Sequence, residues 1–248
     1  MDPSTLAATL AAFLIAGTVK GVIGLGLPPV SLGLLILAMD LPDAIAILIV
    51  PSLATNVWQA VAGGGALGTA RRIWPFLLPA ALFVPVGAMA LTRAPLPLLS
   101  GLLGVTLAIY AATGLMGLRL SLDGRRERAA APVLGALNGI LTGMTGSFSV
   151  PGVLYLQAIG LERDRLVQAM GLLFTTLTLG LAVSLGAGGL VTGPLAALSL
   201  AAILPALLGM TLGRRLRRGM PEALFRRVFF AALLALGCYI VAASWLAP

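Results

Sequence analysis

Long apolar stretches separated by short polar gaps are the dominant pattern along the chain. Six of them occupy roughly residues 42–62, 73–92, 95–118, 166–185, 194–213 and 223–246. At about 1.5 Å of rise per residue, helices of this length cross a hydrocarbon core of about 30 Å. Period-two alternation is absent, so these stretches predict helices, which satisfy their own backbone polar groups in lipid, and not barrel strands. Two further apolar regions, 4–39 and 130–160, are interrupted. Gly21-Val-Ile-Gly24-Leu-Gly26-Leu-Pro28-Pro29 breaks the first, and Gly143-Met-Thr-Gly146-Ser-Phe-Ser-Val-Pro151 breaks the second. Short apolar pieces follow the breaks, Val30–Met39 and Gly152–Ile159. About ten helical residues cover only about 15 Å, half a bilayer. Glycine and proline at this density stop a helix. Each region is therefore predicted to be a broken hairpin with its tip near the membrane midplane.

The same plan occurs twice. Gly17-Thr-Val-Lys20-Gly21-Val-Ile-Gly24 aligns with Gly139-Ile-Leu-Thr142-Gly143-Met-Thr-Gly146 at an offset of 122, and Pro29 with Pro151 and Gly87 with Gly209 share that offset. Three long runs follow each hairpin. The expected fold is an all-α polytopic membrane protein, one membrane domain over 1–248. The first repeat is 1–118 (hairpin 4–39; helices 42–62, 73–92 and 95–118). A cytoplasmic linker, 119–129, leads to the second repeat, 130–248 (hairpin 130–160; helices 166–185, 194–213 and 223–246). A hairpin returns the chain to the side it left. Arg71, Arg72, Arg119, Arg125, Arg126, Arg128, Arg163, Arg165, Arg214, Arg215, Arg217, Arg218, Arg226 and Arg227 then share one side, fourteen of the sixteen basic residues. Arg93 falls on the other side, with Asp2, Asp40 and Asp43. The excess of basic residues marks the cytoplasm, so both termini are expected outside it. Three crossings per half is an odd number, which makes the repeat an inverted one.

Composition narrows the function. Only 10% of residues are charged and mean hydropathy is +1.07, whereas a soluble domain carries about 25% charged residues. The net charge of +8 lies in the gaps between apolar runs, where it encodes topology and does not point to nucleic acid. Histidine is absent and Cys238 is the single cysteine, so no disulfide, Cys/His metal site or cofactor is expected. The first residues, Met1 to Thr5, lack the basic region of a cleavable signal peptide. Asp2, Asp40, Asp43, Asp123, Glu127, Glu162, Asp164 and Glu222 all fall in predicted loops or helix ends. With no carboxylate expected in the membrane core, a membrane-embedded enzyme, a carboxylate proton relay and an acidic cation site are disfavoured.

The remaining polar residues point to an anion. Lys20 is the one charge inside an apolar segment, at a cost of about 2.5–3.5 kcal/mol on insertion scales. It is either an anion ligand at the hairpin tip or a side chain that snorkels or bonds its own helix end. Pro28-Pro29 and Pro151 can open the short second helices, whose N–H groups and positive dipole ends would face the membrane centre. Gly24, Gly26, Gly143 and Gly146 allow close backbone approach, and Thr142, Thr145, Ser147 and Ser149 add hydroxyls. Asn56 and Asn138, one from each half, are ligand candidates or interhelical hydrogen bonds. The substrate-site candidates are thus Lys20, Gly24, Gly26, Asn56, Asn138, Thr142, Gly146, Ser147 and Ser149. Thr175, Thr176 and Thr178 either line a pathway or bond back to their own helix. Trp58 and Trp74 suit a cytoplasmic aromatic belt, and Trp245 suits the opposite one.

The spacing Gly17-x-x-x-Gly21-x-x-Gly24-x-Gly26-x-x-Pro29, then Leu41-Pro42 leading to Ala44, with the echo at Gly139–Pro151, resembles the sulfite exporter TauE/SafE family of membrane transporters. The sequence departs from the family in place of its glycine run, with Gly24-Leu25-Gly26-Leu27 in the first half and Ser147-Phe148-Ser149 in the second. The resemblance implies movement of a small sulfur-containing anion, sulfite or an organosulfonate such as sulfoacetate, across a bacterial inner membrane. Its partners would be the small anionic substrate, the lipid bilayer and a coupling ion, H+ or Na+. Alternating access, an anion channel of the same fold and a transporter for another small anion all fit the sequence, and oligomeric state is open.

Overall fold

The computed structural model describes residues 3–24, 26–61, 64–118, 121–216 and 222–246, without the side chains of residues 163, 222 and 246. Of the charged residues named above, Asp2, Arg119, Arg217 and Arg218 lie outside these residues, as do the side chains of Arg163 and Glu222. The described chain is helical: α1 (Pro3–Ile23), α2 (Leu27–Leu35), α3 (Leu41–Val61), α4 (Ala66–Ala88), α5 (Leu96–Met116), α6 (Gly124–Thr145), α7 (Gly152–Ala158), α8 (Arg163–Ala187), α9 (Gly193–Ala201), α10 (Ile203–Leu216) and α11 (Glu222–Leu246). A tight 3₁₀ turn, Met89–Thr92, extends α4. Among the described residues, seven stretches are long and apolar enough to span a bilayer: α1, α3, α4 with its turn, α5, α8, α9–α10 and α11. The chain is a multi-pass membrane protein.

Both glycine-rich regions are broken as expected, but their arms are unequal. α1 is continuous for 21 residues, a rise of about 32 Å, so the first break follows a full-length helix instead of interrupting one halfway. Gly17 and Gly21 do not stop α1 because each is pressed against another helix. α6 starts at Gly124, inside the stretch expected to be a linker, with Arg125, Arg126, Glu127 and Arg128 in its first turns. Arginine and glutamate are good helix formers, and a charged helix end needs only to project beyond the lipid. α4 likewise starts at Ala66 and carries Arg71 and Arg72 within it.

Glycine sets how the long helices meet. A methyl group on Gly17 of α1 would lie 2.2 Å from the carbonyl oxygen of Ala206 in α10, and one on Gly139 of α6 would lie 2.3 Å from that of Ala80 in α4. Gly21 meets Met210 as Gly143 meets Val84, and Gly213 meets Thr18 as Gly87 meets Ile140. The α1–α10 contacts map onto the α6–α4 contacts by 122 residues in the first-named helices and by 126 in the second. Gly87 therefore has the role of Gly213, four residues from its sequence partner Gly209. Four residues is about one helical turn, so both glycines keep the same face. α5 and α11 pair face to face, and a methyl on either Gly104 or Gly237 would lie 2.8 Å from the other's carbonyl oxygen. Small residues of this kind let helices in lipid pack backbone against backbone.

α3 and α8 form the remaining large helix pair. Pro51 lies inside α3 and cannot donate to the carbonyl of Ile47. The hydroxyl of Ser199, from α9, donates to that carbonyl at 2.7 Å and accepts the Val50 N–H at 3.2 Å. Pro205 withholds a donor from Ala201 in the same way, at the break between α9 and α10. Ser199→Ala should leave the Ile47 carbonyl buried without a donor and cost about 1–3 kcal/mol. A thermal melt of the purified variant in detergent checks this, and an unchanged midpoint would contradict it.

Candidate substrate site

Lys20 lies in the last turn of α1 and is only 4% exposed. Its ammonium does not snorkel and does not bond its own helix end. It donates to the Thr55 hydroxyl of α3 at 3.1 Å and to the Asn56 side-chain oxygen. Asn56 Nδ2 in turn donates to Ser52 Oγ at 2.9 Å, and Ser52 Oγ lies 3.4 Å from Thr178 Oγ1 of α8. Positions 52, 55 and 56 share one helical face, spaced three and four residues apart. Two of the three ammonium hydrogens have these neutral partners, and one remains. The described carboxylates sit at helix ends and in loops, and the Arg72–Glu127 ion pair, at 3.4 Å, is peripheral.

The second-half candidates form their own group around the bend after α6. Gly146 ends that helix with φ of +69°, a left-handed conformation that favours glycine. The chain then folds back along α6. Thr142 Oγ1 donates to the Ser147 carbonyl at 3.1 Å, and Asn138 Oδ1 accepts the Gly152 N–H at 2.9 Å. Asn138 Nδ2 and Ser147 Oγ are buried and unpartnered in the structure, as is Thr175 Oγ1 on α8. Ser149 is buried too, and its carbonyl accepts from Val153. Buried donors without partners are uncommon and ask for an explanation.

The short helices contribute less than expected. The first N–H of α7 is taken by Asn138. α2 begins Leu27-Pro28-Pro29, and its two prolines have no N–H to offer. Gly26 adopts φ of +105° to turn the chain into α2, and a methyl there would lie 3.4 Å from the Phe229 ring of α11. Gly24 is half-buried, with its N–H bonded to the Lys20 carbonyl at 2.8 Å. These two glycines shape the break, Gly24 through its bond to the Lys20 backbone and Gly26 beside the Phe229 ring.

A chain of contacts through α3 and α8 links the two polar groups. Gly146 abuts Ile45 of α3 and Leu32 of α2. Thr178 donates to the Phe174 carbonyl at 2.6 Å, and the Phe174 ring lies 5.6 Å from that of Phe148 in the second bend. Lys20, Asn56, Ser52, Thr178, Phe174 and Phe148 thus form a continuous path between the candidates of the two halves. Ser52 and Thr55 were not singled out from sequence. The signal available was their spacing with Asn56 just after Pro51. At one end of α8, Gln59 donates to the Val167 carbonyl at 2.9 Å, and Gln168 bridges Thr69 and the Gly64 carbonyl. Trp58, Trp74 and Trp245 are exposed, as an aromatic belt requires.

The family model of the sulfite exporter TauE/SafE matches residues 9–240. Comparison with curated proteins and with solved structures gave no match. Taken with the spanning helices, the two broken hairpins and the buried lysine of the first, that coverage of nearly the whole chain is decisive: the chain belongs to the sulfite exporter TauE/SafE family and is a membrane transporter, not an enzyme.

Proposed function

We propose that this transporter moves a small sulfur-containing anion, sulfite or an organosulfonate such as sulfoacetate, across the bacterial inner membrane by alternating access. The observation that carries the reading is Lys20, a buried cation held by Thr55 and Asn56, both neutral. A cation kept in a membrane interior without a carboxylate is an incomplete pair, and an oxyanion completes it. The unpartnered donors of Asn138 and Ser147 would serve the same guest from the second half as the halves rock. An inverted arrangement of those halves, with both termini periplasmic, is supported by the arginine distribution and by the matched glycine contacts of α1–α10 and α6–α4. H+ or Na+ would serve as the coupling ion.

The test is flux into proteoliposomes of the purified protein. Sulfite and sulfoacetate should enter saturably, compete with each other and exchange in counterflow, whereas an acetate control should not. Transport of none of the sulfur anions would overturn the reading. Unitary currents without counterflow would replace the carrier by a channel.

A further inference from the structure

Two cavities open along one seam, where the α5–α11 pair faces the C-terminal ends of the short helices. The cavity at the end of α2 measures about 230 Å³ and includes Asp40. The cavity at the end of α7 measures about 940 Å³, and among the described residues Arg226 is the one charged residue that lines it. Thr113, Ser121 and Gln157 add neutral donors to the larger cavity, and Tyr110 and Phe230 form part of its wall. Those two rings meet edge to face at 5.4 Å, and Phe230 packs on Phe229 at 5.0 Å. Phe229 is the ring that rests against Gly26 in the first break. Gly114 makes room for this stack, since a methyl there would lie 2.4 Å from the Phe230 ring. The larger cavity therefore ends at an aromatic stack whose far side touches the break that follows Lys20.

We propose that the cavity between α5, α7, α8 and α11 is a cytoplasmic vestibule that binds the sulfonate or sulfite anion on Arg226 before it passes the Tyr110–Phe230 stack. This assignment rests on the proposed anion transport for its ligand and on the arginine distribution for its side. Volume separates it from the smaller cavity at the opposite end of the seam, which has Asp40 where this one has Arg226. The substrate held here keeps part of its hydration, because the cavity is wide and Arg226 is exposed.

Thiol labelling tests the vestibule without requiring transport. In a Cys238→Ala background, Leu154→Cys places a thiol on the cavity lining. An anionic methanethiosulfonate bearing a sulfonate should label it from the cytoplasmic face of oriented vesicles, faster than its trimethylammonium counterpart. Methanesulfonate should slow that labelling. Adding Arg226→Gln should cut the anion-to-cation rate ratio about fivefold and remove the protection, a modest effect because the arginine is exposed. Labelling only from the opposite face, or a ratio and protection indifferent to Arg226, would overturn the vestibule. Phosphatidylglycerol that blocks labelling where methanesulfonate does not would assign the cavity to a lipid headgroup instead. Protection without flux would leave the binding site standing and remove the transport reading. Flux without protection would do the reverse.

Discussion

Replacing Lys20 with methionine should reduce anion transport by at least tenfold while leaving the protein nearly as stable as before. A charge-assisted hydrogen bond contributes about 1.5–3 kcal/mol, and each 1.4 kcal/mol is about tenfold in affinity. Stability is balanced differently. Removing an ammonium from the membrane interior recovers about 2.5–3.5 kcal/mol on insertion scales. Against this, the Asn56 oxygen and the Thr55 hydroxyl lose their bonds to Lys20, and an unpaired buried acceptor costs about 1–3 kcal/mol. Thr55 retains its bond to the Pro51 carbonyl at 2.8 Å, so the penalty rests on Asn56. The two terms nearly cancel. Sulfite flux in proteoliposomes and a melt in detergent separate them. A variant that folds normally and still transports would exclude Lys20 from the site.

The largest effect on folding should come from glycines at the crossed backbones. Gly143→Ala puts a methyl 2.2 Å from the Val84 carbonyl oxygen and 2.5 Å from the Ala88 nitrogen. Gly213→Ala puts one 2.1 Å from the Thr18 carbonyl oxygen. The obstacle is backbone in each case, so no side chain can rotate away, and the helix pair must separate along its length. Overpacking of this kind costs at least about 1–3 kcal/mol, and losses of contact along the seam add to it. Neither variant should yield monodisperse protein at wild-type levels by size-exclusion chromatography. Gly68→Ala is the contrast, a helical position with nothing within 4 Å of the new methyl. It should be neutral or stabilising by up to about 1 kcal/mol. Normal yield and melting for Gly143→Ala would refute the backbone-contact account.

The spanning helices were legible because lipid imposes one simple requirement, a long apolar run, and the runs beginning near 42, 95 and 223 match α3, α5 and α11 to within two residues at their starts. The ends of α4 and α6 were not legible, because the arginines that mark a membrane boundary also continue a helix beyond it. The breaks at Gly24–Gly26 and Gly146–Pro151 could be read from glycine and proline, whereas the full length of α1 could not. Gly21 looks like a breaker in sequence and, with Gly17, becomes a contact surface only when α10 lies against it. In the site, Lys20 and Asn56 were visible as polar residues in apolar runs. That they bond each other depends on how far the Lys20 side chain reaches from the end of α1 to α3, which no spacing within either segment encodes. The expected helix-end donors are fewer for a local reason: the Pro28-Pro29 pair that opens α2 also removes two of its first N–H groups.

Ser199 has a mechanical consequence. Its single hydroxyl accepts the Val50 amide and donates to the Ile47 carbonyl, one turn before Ser52, Thr55 and Asn56 on the same helix. Lateral travel of α9 therefore cannot occur without either dragging that turn of α3 or releasing its amide proton to exchange with solvent. The Val50 amide is thus a one-atom gauge of whether the later half of the chain is seated on the earlier one.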